Sequence, residues 1–300
     1  MKGVQKAHTT QYNWLQPEGA ERIGDCRTSC SLMVSGASAS GTPLPPPVQS
    51  ILLALSTLSQ TIAALPRIQW TLPQGELFHR AIVGRVGKGR AVDCPELTGR
   101  DRRGQPLDQG HQHAHVLPLD LDGDNHIDHV LVYAAMGLGD AAQRAIRSLK
   151  RTWTKGGVGD LQVSVVGRGD LDALRQLPEP FSQAIQRLLG PQEGSQIWIS
   201  ETPFVPPRFV KRRGRNTIEG QIQSELASRN LSPAVCTEVL SDSSIRLRDF
   251  IRVRHHGGTP PPRDVGYAMR IELSEPIHGP LTLGYASHFG LGRFAAEIAD

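Results

Sequence analysis

At 300 residues the chain is long enough for two domains with separate cores, and its formal charge of +4 with a pI near 9.0 is a moderate basic excess that matters only where it is concentrated. Four cysteines at irregular positions (26, 30, 94 and 236) argue against a disulfide scaffold, and a lone Cys-x3-Cys with no second close pair argues against a zinc finger. Residues 1–20 are polar and no long uninterrupted apolar run follows, so neither a secretory leader nor a membrane span is expected, and a cytoplasmic location is.

In chain order, residues 1–47 are poorly patterned and end in Pro43, Pro45, Pro46 and Pro47, a linker signal. Apolar residues at helical spacing predict a helix over 48–64, and Phe78–Val86 reads as a strand. A polar, glycine-bearing loop is expected over 87–110. His113–Leu121 and Ile127–Ala134 are predicted strands joined by the turn Asp122-Gly123-Asp124-Asn125. Ala141–Thr152 is a predicted helix with Ala142, Ala145, Ile146 and Leu149 on one face, and Leu161–Val166 a predicted strand. The second half offers a strand at Ile197–Ser200, a helix at Ile218–Arg229, strands at Val235–Leu240 and Phe250–Val253, and a long hairpin over Tyr267–Leu283 bent at Glu275-Pro276. This element order predicts an α+β protein of two ferredoxin-like domains with antiparallel sheets, residues 48–180 and 181–300, behind the N-terminal segment 1–47.

Chemistry concentrates in His111-Gln112-His113-Ala114-His115. In an extended segment the three imidazoles share one side, where they can bind a divalent metal or transfer protons near neutral pH. Metallohydrolases usually continue such a run with an Asp-His step; Val116-Leu117-Pro118 stands here instead, so no metal site is assigned. Asp120–Asp128 imitates a calcium loop but carries Asn125 where the loop needs glycine and Leu131 where it needs glutamate, so its carboxylates are expected to cap turn N–H groups. Asp128 and His129 are neighbours on a strand and by that pattern face opposite ways.

Positive charge gathers at 208–215, Arg-Phe-Val-Lys-Arg-Arg-Gly-Arg, and further arginines follow at 246, 248, 252, 254, 263 and 270, which favours a polyanionic partner for the second half. Gly284-Tyr-Ala-Ser-His288-Phe-Gly290-Leu-Gly292-Arg293 places three glycines beside a cation and is expected to turn N–H groups outward as a phosphate-binding array. Aromatic residues make up only 5% of the chain, which suits recognition of a short hairpin through its phosphates better than stacking of splayed bases.

These strings occur in an informative order: His113-Ala-His115, Leu117-Pro118-x-Asp120, Asp122-Gly-Asp124, Ile127-Asp-His129, then Thr202-Pro-Phe-Val-Pro-Pro-Arg208 with Lys211, then Gly279-Pro-Leu281 and Ser287-His-Phe-Gly-Leu-Gly292. Over residues 50–294 the chain thereby resembles the repeat-processing endoribonuclease half of the fused CRISPR subunit of type I-U (I-G) systems, within the repeat-associated mysterious protein superfamily. In that fusion a handle-binding domain of roughly 200 residues, an ordinary domain size, precedes the nuclease; here 47 residues precede the match, so a stand-alone or truncated nuclease half is expected. The resemblance implies cleavage of CRISPR repeat RNA without metal or other cofactor, by attack of a ribose 2′-OH on the scissile phosphorus. It also implies partnership with other subunits of a CRISPR effector complex. Acid and base would come from His111, His113 and His115, with Lys211 or Arg208 stabilising charge. Arg208, Arg212, Arg213, Arg215, His288, Gly290, Gly292 and Arg293 would bind RNA. The alternatives are a non-catalytic guide-RNA-binding subunit and a metal-dependent hydrolase built on the three histidines.

Overall fold

The computed structural model describes residues 48–57, 65–87, 94–107, 111–153, 159–241, 247–254 and 258–298. The expectations for 1–47, Cys26 and Cys30 included, and those for 58–64, 88–93, 108–110 and Arg246 lie outside the described residues.

The apolar run predicted as a helix over 48–64 is instead strand β1 (Ser50–Thr57), flanked on both sides by partners in the first sheet. Its two faces explain the misreading. Ile51, Leu53 and Leu55 enter the core beneath the helices, whereas Leu52 enters a second cluster on the opposite face, so no polar alternation marks the strand. The predicted strand at Phe78–Val86 is likewise the C-terminal part of helix α1 (Thr71–Val86), whose Leu72, Phe78 and Ile82 are buried; Pro73 is tolerated in its first turn because the N–H it lacks would have no helical acceptor there.

A short helix α2 (Pro95–Thr98) precedes β2 (His115–Leu119) and β3 (His129–Tyr133), which pair as the sequence implies, His115 opposite Tyr133 and Leu119 opposite His129. Helix α3 (Asp140–Ser148), the short strand β4 (Arg151–Trp153) and β5 (Asp160–Gly169) complete the first sheet, in the order β2-β3-β1-β5-β4, with every pairing antiparallel. Without the edge strand β4, this is the βαββαβ ferredoxin-like arrangement. Helix α4 (Phe181–Leu189) covers the sheet's other face through Ile185, Leu188 and Leu189.

The second sheet repeats that order with one replacement. Strand β6 (Ser195–Ser200), helix α5 (Ile218–Ser228), β7 (Ala234–Val239), β8 (Met269–Ile277), β9 (Leu281–Thr282) and β10 (Arg293–Ala296) lie in the order β7-β8-β6-β10-β9, again antiparallel. Where the second ferredoxin helix would stand, the chain runs through β9 and the glycine loop, with one 3-10 turn at Ser287–Phe289. Two predicted elements are corrected here. Residues 250–253 form no strand but a loop whose Ile251 N–H bonds the Gln69 carbonyl. The expected hairpin over 267–283 is not one: β8 continues through Glu275-Pro276, and β9 pairs with β10 rather than with β8.

The glycine loop closes against the first sheet's helix layer. A Cβ on Gly75 of α1 would lie 2.7 Å from the Phe289 carbonyl oxygen; one on Gly290 would meet Thr71 Cγ2 at 2.6 Å, and one on Gly292 the Leu283 carbonyl oxygen at 1.9 Å. Gly290 and Gly292 also have φ of +90° and +58°. Steric overlap and left-handed backbone act together, so Gly290→Ala and Gly292→Ala should each lower stability by about 2 kcal/mol or more. Thermal unfolding checks this, with Gly84→Ala, whose Cβ meets nothing within 4 Å, expected to be neutral or stabilising.

Candidate active site

The three histidines of the 111–115 segment do converge, but not as a strand face. His111 sits in a turn with φ of +66°, His113 in a bend, and only His115 lies in β2. What unites them is His288, delivered by the glycine loop of the other domain. Its ring stacks on His113 with centroids 4.0 Å apart and planes 11° off parallel, and lies 4.0 Å from His115 and 5.2 Å from His111.

The hydrogen bonds fix how these rings carry their protons. His288 Nδ1 faces the Ala114 carbonyl at 3.3 Å, and a carbonyl only accepts, so in the neutral ring the proton is on Nδ1 and Nε2 is an acceptor. His111 Nδ1, 3.0 Å away, therefore donates to His288 Nε2. That leaves His111 Nε2 unprotonated. His115 is arranged the opposite way, donating from Nε2 to the His111 carbonyl at 3.3 Å and accepting at Nδ1 from the Thr282 hydroxyl at 3.0 Å. Both nitrogens of His115 and of His288 are thus engaged. His113, packed between His288 and Gly99, makes no side-chain hydrogen bond among the described residues.

Burial keeps the cluster neutral. Desolvation lowers the pKa of all four histidines, to about 4 for His113 and about 3 for His115, and well below the ordinary value for His288. The Arg229 guanidinium lowers His111 and His115 further.

His111 and His115 line a cleft of about 170 Å³ with Tyr133, Arg229, His278 and Thr282. Sequence reading missed Arg229, which follows the last residue of α5 and reads there as an ordinary basic helix end. It belongs to a stripe at four-residue spacing, Thr217, Gln221, Glu225 and Arg229, that shares one face of the helix. Thr217 caps the N–H of Gly220, Gln221 holds the Arg208 main chain through both its amide groups, and Glu225 accepts the Gly284 N–H at 2.8 Å.

The other predicted residues separate into two groups. Arg208, Lys211, Arg212, Arg213 and Arg215 are exposed on the loop before α5, pair with no carboxylate among the described residues, and have no contact there with the histidines. Phe209 of that loop is 59% exposed, stacking surface that the low aromatic content did not foretell. The C-terminal arginines, by contrast, are largely paired: Arg252 with Asp264, Arg254 with the buried Glu76, Arg270 with Glu272 and Glu297. Gly290, Gly292 and Arg293 are buried. The glycine loop does not present an outward donor array, because the N–H groups of residues 284, 285, 287, 289, 290, 292 and 293 are taken within the protein. Arg293 joins the two domains instead, bonding Glu201 at 3.2 Å and the Pro118 carbonyl at 2.5 Å.

The acidic turn behaves as a turn. Asp120 accepts the N–H groups of Gly123, Asp124 and Asn125, and Asp124 that of His126. Oxygens of Asp120, Asp122 and Asp124 lie within 4.8 Å of one another, the one such set of metal-ligand atoms among the described residues. Asp128 and His129 do meet, Oδ1 to Nδ1 at 3.1 Å, contrary to the strand pattern, because Asp128 lies just before β3, where its carboxylate turns back to accept the Leu121 N–H.

No protein-family model and no curated protein matches the chain. Among solved structures it is similar to Csf5, a CRISPR-Cas type IV Cas6 crRNA endonuclease, at 16% identity and a TM-score of 0.36, over 83% of this chain and all of that one. It is also similar to a RAMP protein binding different RNA substrates, at 11% identity and a TM-score of 0.35, over 84% of this chain and all of that one. Likeness at this level carries no weight for function, which rests on the site itself. No described helix is long and apolar enough to cross a membrane.

The depressed histidine pKa values set the sign of a pH effect. Unfolded imidazoles bind protons near pH 6.5, whereas His113 and His115 do so only near 4 and 3, so stability is fully present above about pH 6.5 and is lost as pH falls toward 3. The melting temperature should drop steadily between pH 7 and pH 4, and His113→Phe, which keeps a stacked ring, should make that slope shallower.

Proposed function

We propose that the protein is an endoribonuclease that cuts CRISPR repeat RNA without a metal ion, as the resemblance of its motifs to the type I-U nuclease half implies. One observation carries the reading: an oriented, unprotonated imidazole nitrogen, His111 Nε2, on a histidine that lines a cleft. In this role it takes the proton of a ribose 2′-OH. O2′ then bonds to phosphorus, the bond to O5′ breaks, and the leaving oxygen takes a proton from an acid. His113, whose nitrogens are engaged by no described residue, is the candidate acid, and phosphates beside it would raise its pKa toward the protonated form. His288 and His115 hold His111 in place. The stacked rings favour proton transfer over metal binding, since nearly parallel planes do not aim their lone pairs at one point. The cations of Arg208, Lys211, Arg212, Arg213 and Arg215, unpaired among the described residues, hold the RNA backbone, as the paired arginines elsewhere do not.

Incubating the protein with a panel of CRISPR-repeat hairpin RNAs tests this. Cleavage should persist in excess EDTA and leave a 2′,3′-cyclic phosphate and a 5′-OH, and a 2′-deoxy substitution at the cut site should abolish it. His111→Ala should slow single-turnover cleavage by about 10²-fold or more with affinity changed only a few-fold. His126→Ala, in the acidic turn, should be silent. Binding without cleavage of any repeat would favour a guide-holding subunit, and loss of activity in chelator alone a metal-dependent hydrolase.

For the basic loop, Lys211→Ala and Arg213→Ala should each weaken binding and reduce the slope of log affinity against log salt by about 1. An unchanged slope would assign the run to a merely solvated face.

A further inference from the structure

Among the described residues, the cleft's lining includes a single permanently charged group, and it is not Lys211. Arg229 reaches there from the end of α5, with a guanidinium only partly engaged. Nη1 donates to the Glu225 carbonyl at 2.8 Å and to its carboxylate at 3.1 Å, and Nη2 donates to the Ser287 hydroxyl at 3.2 Å. Nε is buried and has no partner among the described residues. The engaged edge is therefore the Nη1 side. Nη2 keeps one hydrogen without a partner among the described residues, on the side of the guanidinium away from Nη1.

We propose that Arg229 is a catalytic residue of the site, holding the scissile phosphate through the remaining Nη2 hydrogen and stabilising the charge that builds on its non-bridging oxygens as O2′ bonds to phosphorus. This rests on the endoribonuclease reading and takes over the role that the resemblance implies for Lys211 or Arg208. The position of Arg229 serves the chemistry in two ways. Its charge lies beside His111, favouring the neutral base, and its bond to Ser287 ties it to the loop that delivers His288. Glu225 locks the arrangement by holding both Arg229 and the Gly284 N–H. Lys211 and Arg208 lie beyond the other end of α5, an 11-residue helix about 16 Å long, where they can grip the backbone of the same RNA but not the phosphate in the cleft.

The test uses whichever repeat hairpin the wild-type protein cleaves, measured in single turnover at saturating protein, with its 2′-deoxy analogue for affinity. Arg229→Ala should slow cleavage by about 10²- to 10³-fold, the effect of removing a preorganised oxyanion donor. Affinity for the 2′-deoxy analogue should fall less than about 10-fold. Arg229→Lys, which keeps the charge but not the fork, should recover only part of the rate, and guanidinium ion should partly rescue Arg229→Ala but not His111→Ala. In Arg229→Ala the rise of rate with pH should move to higher pH, because the neighbouring cation no longer opposes protonation of His111. If Arg229→Ala does not fold, Arg229→Lys decides by its rate and pH profile. Wild-type rates in the variants, or a loss confined to affinity, overturn the assignment while leaving the nuclease reading intact. No cleavage of any repeat by the wild type overturns both.

Discussion

The seating of the glycine loop on the first domain is the contact on which the site depends. Four histidines form the cluster, but His111, His113 and His115 come from the turn and bend leading into β2 and from its first residue, while His288 comes from the loop between β9 and β10. Only close backbone approach brings them together: Gly75 and Gly290 remove the side chains that would hold the layers apart. Thr202 then bridges the loop, donating to the Gly290 carbonyl at 2.7 Å and accepting from the Arg293 N–H at 2.8 Å, and the Arg293 side chain reaches across to Pro118 in β2. Buried polar groups so paired are costly to separate, since each broken bond leaves a desolvated donor or acceptor behind. The geometry of the histidine cluster is therefore a property of the interface and not of either sheet.

Burial and charge set two regions of the molecule apart. Around the histidines, desolvation keeps the imidazoles neutral and so preserves a lone pair on His111. On the loop before α5 the opposite holds, with five cations exposed, unpaired among the described residues, and available to phosphates in water. Helix α5 links the two regions mechanically. One face carries the residue that caps the helix, the residue that staples the basic loop, the residue that anchors the glycine loop and the arginine of the cleft, at successive turns. The rigid rise of a helix fixes the distance between the basic loop and the cleft.

Much of this order was legible locally. The β2–β3 hairpin, helix α3, β5, β6, α5 and β7 follow from period and turn chemistry, and the capping role of Asp120 followed from its place in a turn too irregular for calcium. The failures share a cause. β1 is apolar on both faces because each face meets a different core, α1 contains a β-branched stretch whose helical form is set by the sheet beneath it, and β8 and β9 separate because β7 and β6 take both sides of β8 while β9 pairs with β10. In each case a partner distant in the chain decides between conformations that local pattern leaves nearly equal.

The same boundary runs through the site. By itself the sequence determined that imidazoles are dense at 111–115, that cations cluster at 208–215 and that glycines punctuate 284–292, because composition and spacing are local facts. The tertiary structure alone decided that His288 completes the histidine cluster rather than facing solvent, that Gly290, Gly292 and Arg293 join domains, and that Arg229 lines the cleft in place of Lys211. Those outcomes depend on which surfaces meet and which groups lose water when they do, and residues 111 and 288 carry no mark in the chain of lying 3.0 Å apart.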